Sequence, residues 1–177
     1  METKTYQKRL ALAAKGLKES AYVIAFTGAG ISTDSGLPDF RGPDGVWTRR
    51  DKGLPPPKST VPRSEIKPNA GHLALVELQK RGILKFLISQ NVDNLHIASG
   101  LQLELLAELH GNGQRMKCLA CDERFSKTEL GWDNRKWGTA YRTQKPINGQ
   151  TACPSCNGRL ISSVVNFNDP MPDKEMR

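Results

Sequence analysis

No run in this 177-residue chain approaches the roughly 20 consecutive apolar residues that cross a membrane, which excludes a spanning helix from the reading. The opening residues, Met1-Glu2-Thr3-Lys4, lack the basic, apolar, then small-residue order of a secretion signal. Both absences favour an intracellular protein. There are no repeats and no low-complexity tract. Histidine is scarce, with three residues, and so is cysteine, with four. That leaves few candidates for a base or a soft metal ligand. The dinucleotide fingerprint is incomplete too: Gly28 and Gly30 follow an apolar run, but Thr33 stands where a third glycine is wanted.

What is present is more specific. The apolar fraction of 37% is ordinary for a chain that buries a core. The formal charge is +8, which fits either a solvated basic surface or attraction to nucleic acid and phosphate groups. All four cysteines fall into two Cys-x-x-Cys pairs, Cys118/Cys121 and Cys153/Cys156. In an intracellular chain this spacing reads as one structural zinc site, since four thiolates close a tetrahedral shell. The intervening 31 residues, 122 to 152, exceed the usual 15 to 20 and call for a loop or small element of their own. Between Asn112 and Leu160 stand nine Lys or Arg against four Asp or Glu, with Trp132, Trp137 and Tyr141 among them. A mini-core around the loop and a nucleic-acid surface are the two readings of those aromatics.

The stretch from Thr27 to Arg41 organises the rest. Tyr22 to Phe26 has the length and composition of a strand. Gly28 and Gly30 then permit a sharp turn and close approach to a ligand. Ser32, Thr33 or Asp34 could cap a following helix, making an anion site of free amides. Asp39, Phe40 and Arg41 add a carboxylate, a ring and a guanidinium in an expected loop, a mix suited to a polar, planar, charged ligand. Before this stretch, Tyr6, Leu10, Ala13 and Leu17 predict a packing amphipathic helix from about Thr5 to Ser20. After it, Gly36 to Pro68 is rich in Pro and Gly, and reads as a lid that orders on binding or as a disordered linker. Asn69 caps an expected helix that ends at Gly82, and Ile83 to Ile88 is a second strand. A helix between two such strands predicts a parallel βαβ unit. Ligands in open α/β sheets sit beyond the strands' carboxyl ends, where the glycine turn and Ser89 to Asn94 are both expected. Leu101 to Leu109 is ambiguous between strand and helix, and Ile161 to Phe167 is β-like.

Together these segments resemble the sirtuins, the NAD-dependent protein-lysine deacylases. The resemblance rests on Gly28-Ala29-Gly30-Ile31-Ser32 with Ser35 to Arg41, Gln90 to His96, Leu109 to Asn112, the two cysteine pairs, and Val164 to Phe167, all in the family's order. It implies an α/β fold: a Rossmann-like parallel sheet, residues 1–112 and 161–177, with an inserted zinc-binding module, 113–160. It implies that Gly28, Ala29, Gly30 and Ser32 hold the NAD phosphates and adjacent ribose. Asp39, Phe40 and Arg41 would lie on the cofactor loop, and Gln90, Asn91 and Asp93 would hold the nicotinamide end. His110 would be the catalytic base. Val165 and Phe167 would line the acyl-lysine tunnel. In the implied reaction the acyl oxygen attacks the ribose carbon bearing nicotinamide, and His110 draws a proton from the ribose hydroxyls. The products are free lysine, nicotinamide and 2′-O-acetyl-ADP-ribose. An imidazole, titrating near about 6.5, suits that step. His72 and His96 are expected to be structural.

Departures accompany the resemblance. Asn94 and Asn168 stand where the family usually has Gly, and Asn tolerates the left-handed turn. The family continues with further strands, a Gly-Ser/Thr-Ser segment and an adenine-side Asn. The expectation is therefore a sirtuin lacking its C-terminal third, poorly stable and weakly active or inactive alone. The partner implied is an acyl-lysine protein, with no membrane, and the compartment implied is cytoplasmic, nuclear relatives sharing these motifs. NAD-dependent mono-ADP-ribosyl transfer and NAD hydrolysis share the early chemistry. A zinc-stabilised nucleic-acid-binding module is the reading from a different class.

Overall fold

The computed structural model describes residues 2–166 and 168–176. They form two compact units, one of residues up to Ile88 with Leu95–Ala107, the other of Ser89–Asn94 with residues from Glu108 onward.

The first unit begins with α1 (Glu2–Glu19) and β1 (Val23–Thr27). A 3-10 helix, Ala29–Ser35, follows directly and ends on Gly36 in the left-handed region. No α-helix starts at the glycine turn, so the capping expected of Ser32, Thr33 or Asp34 is not used. Instead Thr33 donates its hydroxyl back to Gly30 O at 2.9 Å, and Ser32 is buried. The Pro/Gly-rich segment is ordered, with α2 (Val46–Asp51) and a 3-10 turn, Arg63–Glu65. Asn69 caps α3 (Ala70–Lys80), accepting from Gly71 N at 2.9 Å and His72 N at 3.4 Å. β2 (Leu84–Ser89), α4 (Leu95–Ala98) and β3 (Leu106–Glu108) follow; the ambiguous stretch before His110 thus resolves into a 3-10 turn and a short strand.

The strands form one parallel sheet in the order β1-β2-β3. Each neighbour pair is joined through helical segments, as parallel pairing requires. Val76, Leu84, Leu87, Leu101 and Leu106 make the core, with Val23 and Ala25 packed against it. The alternation along β1 sends Tyr22, Ile24 and Phe26 the other way, and they stay 65%, 53% and 60% exposed. On α1 the expected packing stripe is exposed as well: Tyr6, Leu10 and Leu17 meet no covering layer among the described residues.

The second unit holds an antiparallel sheet of β4 (Arg115–Cys118), β5 (Arg124–Ser126) and β6 (Leu160–Ser162), in the order β5-β4-β6. Met116, Cys118, Trp132, Ala140, Cys153 and Leu160 are its core. Asp133 caps α5 (Asn134–Trp137) by accepting from Arg135 N at 2.8 Å. Trp132 and Trp137 pack with ring centres 5.2 Å apart, and Trp132 Nε1 donates to Gly138 O. Those two tryptophans therefore serve a mini-core. α6 (Asp173–Met176) is tied in through Glu175, which accepts from Glu108 N and from Arg124. Among the described residues no helix is long and apolar enough to cross a membrane.

Candidate functional site

In the first unit, seven of the singled-out residues share the segment after β1. Gly28 is extended, with φ −134° and ψ −175°, and starts the turn. A Cβ built on Gly28 or Gly30 would meet nothing within 4 Å, so open space lies over both. Neither glycine is demanded by packing among the described residues, which suits a backbone approached by a ligand. The turn is pinned from beneath. Asn69 donates to Ile31 O at 2.7 Å and to Ser35 Oγ at 3.0 Å. Thr27, the last residue of β1, shares a 2.8 Å hydrogen bond with His96 Nε2, and His96 lies 5.0 Å from the His72 ring. Both rings are buried, so His72 and His96 are structural as expected. Further along, Asp39 Oδ1 accepts from Gly42 N at 3.0 Å. Phe40 is half exposed and Arg41 exposed, and both rest on Trp47.

The second unit gathers another group. His110 Nδ1 lies 2.9 Å from the carbonyl oxygen of Gln90. A carbonyl only accepts, so in the neutral ring Nδ1 carries the proton and Nε2 presents its lone pair. The loop bearing His110 is sewn down on every side. Leu109 N donates to Ser89 O, Val165 N to His110 O, and Gly113 N to Val92 O. Gly111 has φ +71°, and a Cβ there would strike Ser163 O. Asn91 is buried and its N–H donates to Ser89 Oγ at 3.0 Å; Asp93 is partly buried. Gln90, Asn91, Asp93, His110 and Val165 thus lie on segments laced to one another. Phe167 lies outside the described residues.

Sequence reasoning missed the polar support under this loop. Asn112 is fully buried and donates to Glu108 Oε1 at 2.6 Å and to Asn94 Oδ1 at 2.9 Å. Asn94 takes φ +70°, as an Asn in a glycine position can. Burial pushes the Glu108 carboxyl above its ordinary range, although Asn112, Arg115 and Arg124 oppose this. The hint was adjacency, since both residues flank His110 in sequence. Their burial could not be read there.

The four cysteines converge, with all Sγ atoms within 4.8 Å of one another. Cys118–Cys156 is 3.5 Å and Cys121–Cys153 is 3.7 Å. These spacings are too long for disulfides and fit a tetrahedral zinc shell, where bonds of about 2.3 Å put sulfurs nearly 4 Å apart. Gly158 leaves the room: a Cβ there would fall 2.9 Å from Cys118 Sγ and 3.1 Å from Cys156 Sγ. Burial works against the Cys118 thiolate, but the N–H groups of Cys121 and Ala120 and the neighbouring thiols outweigh it and bring the thiol down to about 7. The four residues are positioned to hold one zinc ion.

Three comparisons bear on this geometry. The Sir2 family model matches residues 57–177. An NAD-dependent protein deacetylase, SRT1, from Oryza sativa subsp. indica is 42% identical over 160 residues, which is 90% of this chain and 32% of that protein. An NAD-dependent protein deacylase from Pyrococcus furiosus is 39% identical over 178 residues, covering 92% of this chain and 67% of that one. A solved Sir2 with p53 peptide and NAD+ superposes with a TM-score of 0.60 at 28% identity, covering 93% of this chain and 67% of that chain. The chain thus spans about a third of the rice relative and about two thirds of the solved Sir2 structure.

Proposed function

The chain belongs to the Sir2 family, and from that membership we propose that it serves NAD-dependent removal of acyl groups from protein lysines. The observation that carries the reading is the His110–Gln90 hydrogen bond, which leaves Nε2 of an ordered imidazole as a proton acceptor. NAD, when bound, supplies an electrophilic ribose carbon with nicotinamide as the leaving group. Gly28, Ala29, Gly30 and Ser32 hold its phosphates and a ribose, supported by the open space above the two glycines. Phe40 and Arg41 cover the nicotinamide side, with Asp39 shaping their loop. Gln90, Asn91 and Asp93 hold the carboxamide and its ribose. Nε2 of His110 takes a proton from the ribose hydroxyls. Val165 flanks the acyl-lysine. Cys118, Cys121, Cys153 and Cys156 hold zinc with no open position, so the metal supports the fold and takes no part in the reaction. The printed names of the relatives, deacetylase and deacylase, support the same class of substrate.

The test is nicotinamide release from NAD with an acetyl-lysine peptide, with the products weighed by mass. The expected products are the free peptide and acetyl-ADP-ribose. Loss of a general base typically costs about 10²- to 10⁴-fold, so His110→Ala is expected to fall to background. Retained turnover removes His110 from the reaction. ADP-ribosylated peptide in place of acetyl-ADP-ribose overturns the deacylase reading.

A further inference from the structure

The residues offered above to the nicotinamide side are exposed, and exposed side chains do not hold a position by themselves. Phe40 is 45% exposed and Arg41 is exposed. Both are propped on one residue that no role above uses. The Trp47 ring lies 5.3 Å from the Phe40 ring, tilted by 56°. The Arg41 guanidinium carbon lies 4.5 Å over the same indole. Trp47 N donates to Phe40 O at 2.9 Å, and Val46 N donates to Asp39 O at 2.9 Å. So α2 starts by gripping the main chain at Asp39 and Phe40, next to the side chains it supports.

The turn between them is closed tightly. Gly45 N donates to Gly42 O, and a Cβ at Gly45 would fall 2.6 Å from Asp39 Oδ1 and from the Phe40 carbonyl carbon. Arg49, one turn along α2, anchors the helix by donating to Pro55 O at 2.8 Å and lies 3.7 Å from Asp44. Tilted aromatic pairs and cations over an indole face each attract beyond plain burial. Here one indole makes both contacts at once.

We infer that Trp47 is a positioning residue, which presents the Phe40 ring to the nicotinamide side and holds the Arg41 guanidinium ready to contact the anionic part of the cofactor. The inference rests on the proposed NAD chemistry for its consequence and on the loop geometry for its cause. Preformed support lowers the ordering cost at binding, so the effect belongs in apparent affinity for NAD and not in the chemical step.

The experiment compares this chain with Trp47→Ala and Trp47→Phe. Amide exchange is read first, without cofactor. Trp47→Ala is expected to speed exchange at Gly42, Gly45 and residue 47 about tenfold, the size of one lost aromatic contact. Trp47→Phe is expected to restore most of the protection, and β2 and α3 are expected to be unchanged. Unchanged exchange in this turn, or a uniform rise across the first unit, overturns the inference. Steady-state kinetics is read second, with the same substitutions in a form extended by the strands the family carries beyond this chain. Trp47→Ala is expected to raise KM for NAD about tenfold with kcat nearly constant, and Trp47→Phe to recover it. A fall in kcat at constant KM overturns the inference. A form of the chain extended by the strands the family carries beyond it that releases no nicotinamide overturns the functional reading instead, and leaves the exchange measurement to decide the loop.

Discussion

His110 and Glu108 stand two residues apart and meet opposite needs. The imidazole keeps one nitrogen on Gln90 O and is only partly buried, as the proposed base needs in order to meet a ligand. The carboxyl is 5% exposed and is held by Asn112 from one side and by Arg115, 3.9 Å away, from another. Burial dominates and raises its pKa above the ordinary 4.5. The folded state therefore binds this proton more tightly than the unfolded chain does. Stability from this group is greatest below the ordinary value and falls as pH rises through the window up to the raised one. Glu108→Gln keeps an acceptor for Asn112 and removes the ionisation. The variant is expected to lose less melting temperature between pH 5 and pH 8 than the parent chain. Parallel pH profiles for the two proteins contradict this account of Glu108.

At the scale of elements, what could be read in advance was what local chemistry dictates. Asn69 announces α3 because its side chain satisfies amides that open the helix. Val23, Ala25, Leu84 and Leu87 announce strands by composition, and two Cys-x-x-Cys pairs announce convergence because thiolates at that spacing can share one ion. Illegible was whatever depends on a partner distant in the chain. The periodicity of α1 specifies an apolar stripe but not what covers it, and it is exposed. The Pro-rich segment gave no sign that Trp47 would fold back on Phe40 and Arg41. The support of His110 by Asn112, Asn94 and Ser163 joins residues up to 69 positions apart, from Asn94 to Ser163, with no periodicity to betray it. The zinc unit makes the sharpest elemental prediction. Its one sheet is made of three- and four-residue strands around a core that includes two of the four cysteines, Cys118 and Cys153. So small a layer needs the metal's folding free energy. Metal analysis is expected to find one zinc per chain, and Cys153→Ser is expected to lose it together with the near-UV signal of Trp132 and Trp137. Freshly purified, reduced protein without zinc refutes the assignment.

At the scale of the whole chain the governing feature is the side of the parallel sheet left uncovered among the described residues. β1 lies at one end of the strand order β1-β2-β3 and, with Tyr22 just before it, presents Ile24 and Phe26 to solvent on a single face. Covering a large apolar side chain is worth about 1.5–3 kcal/mol, so two on the strand and one just before it form a strong adhesive strip. An edge strand also offers unpaired main-chain groups, which makes the strip a template for another strand. The charge of +8 opposes contact between copies, but salt screens it, whereas apolar burial is not weakened by salt. The chain is therefore expected to associate with itself as protein and salt concentrations rise. The double variant Ile24→Lys/Phe26→Lys places charge on that face while leaving Val23 and Ala25 in the core, and is expected to shift the population toward monomer. Sedimentation velocity across a concentration and salt series measures both effects. A parent chain that stays monomeric throughout, or a double variant that associates as readily, would show that this face is not what drives association.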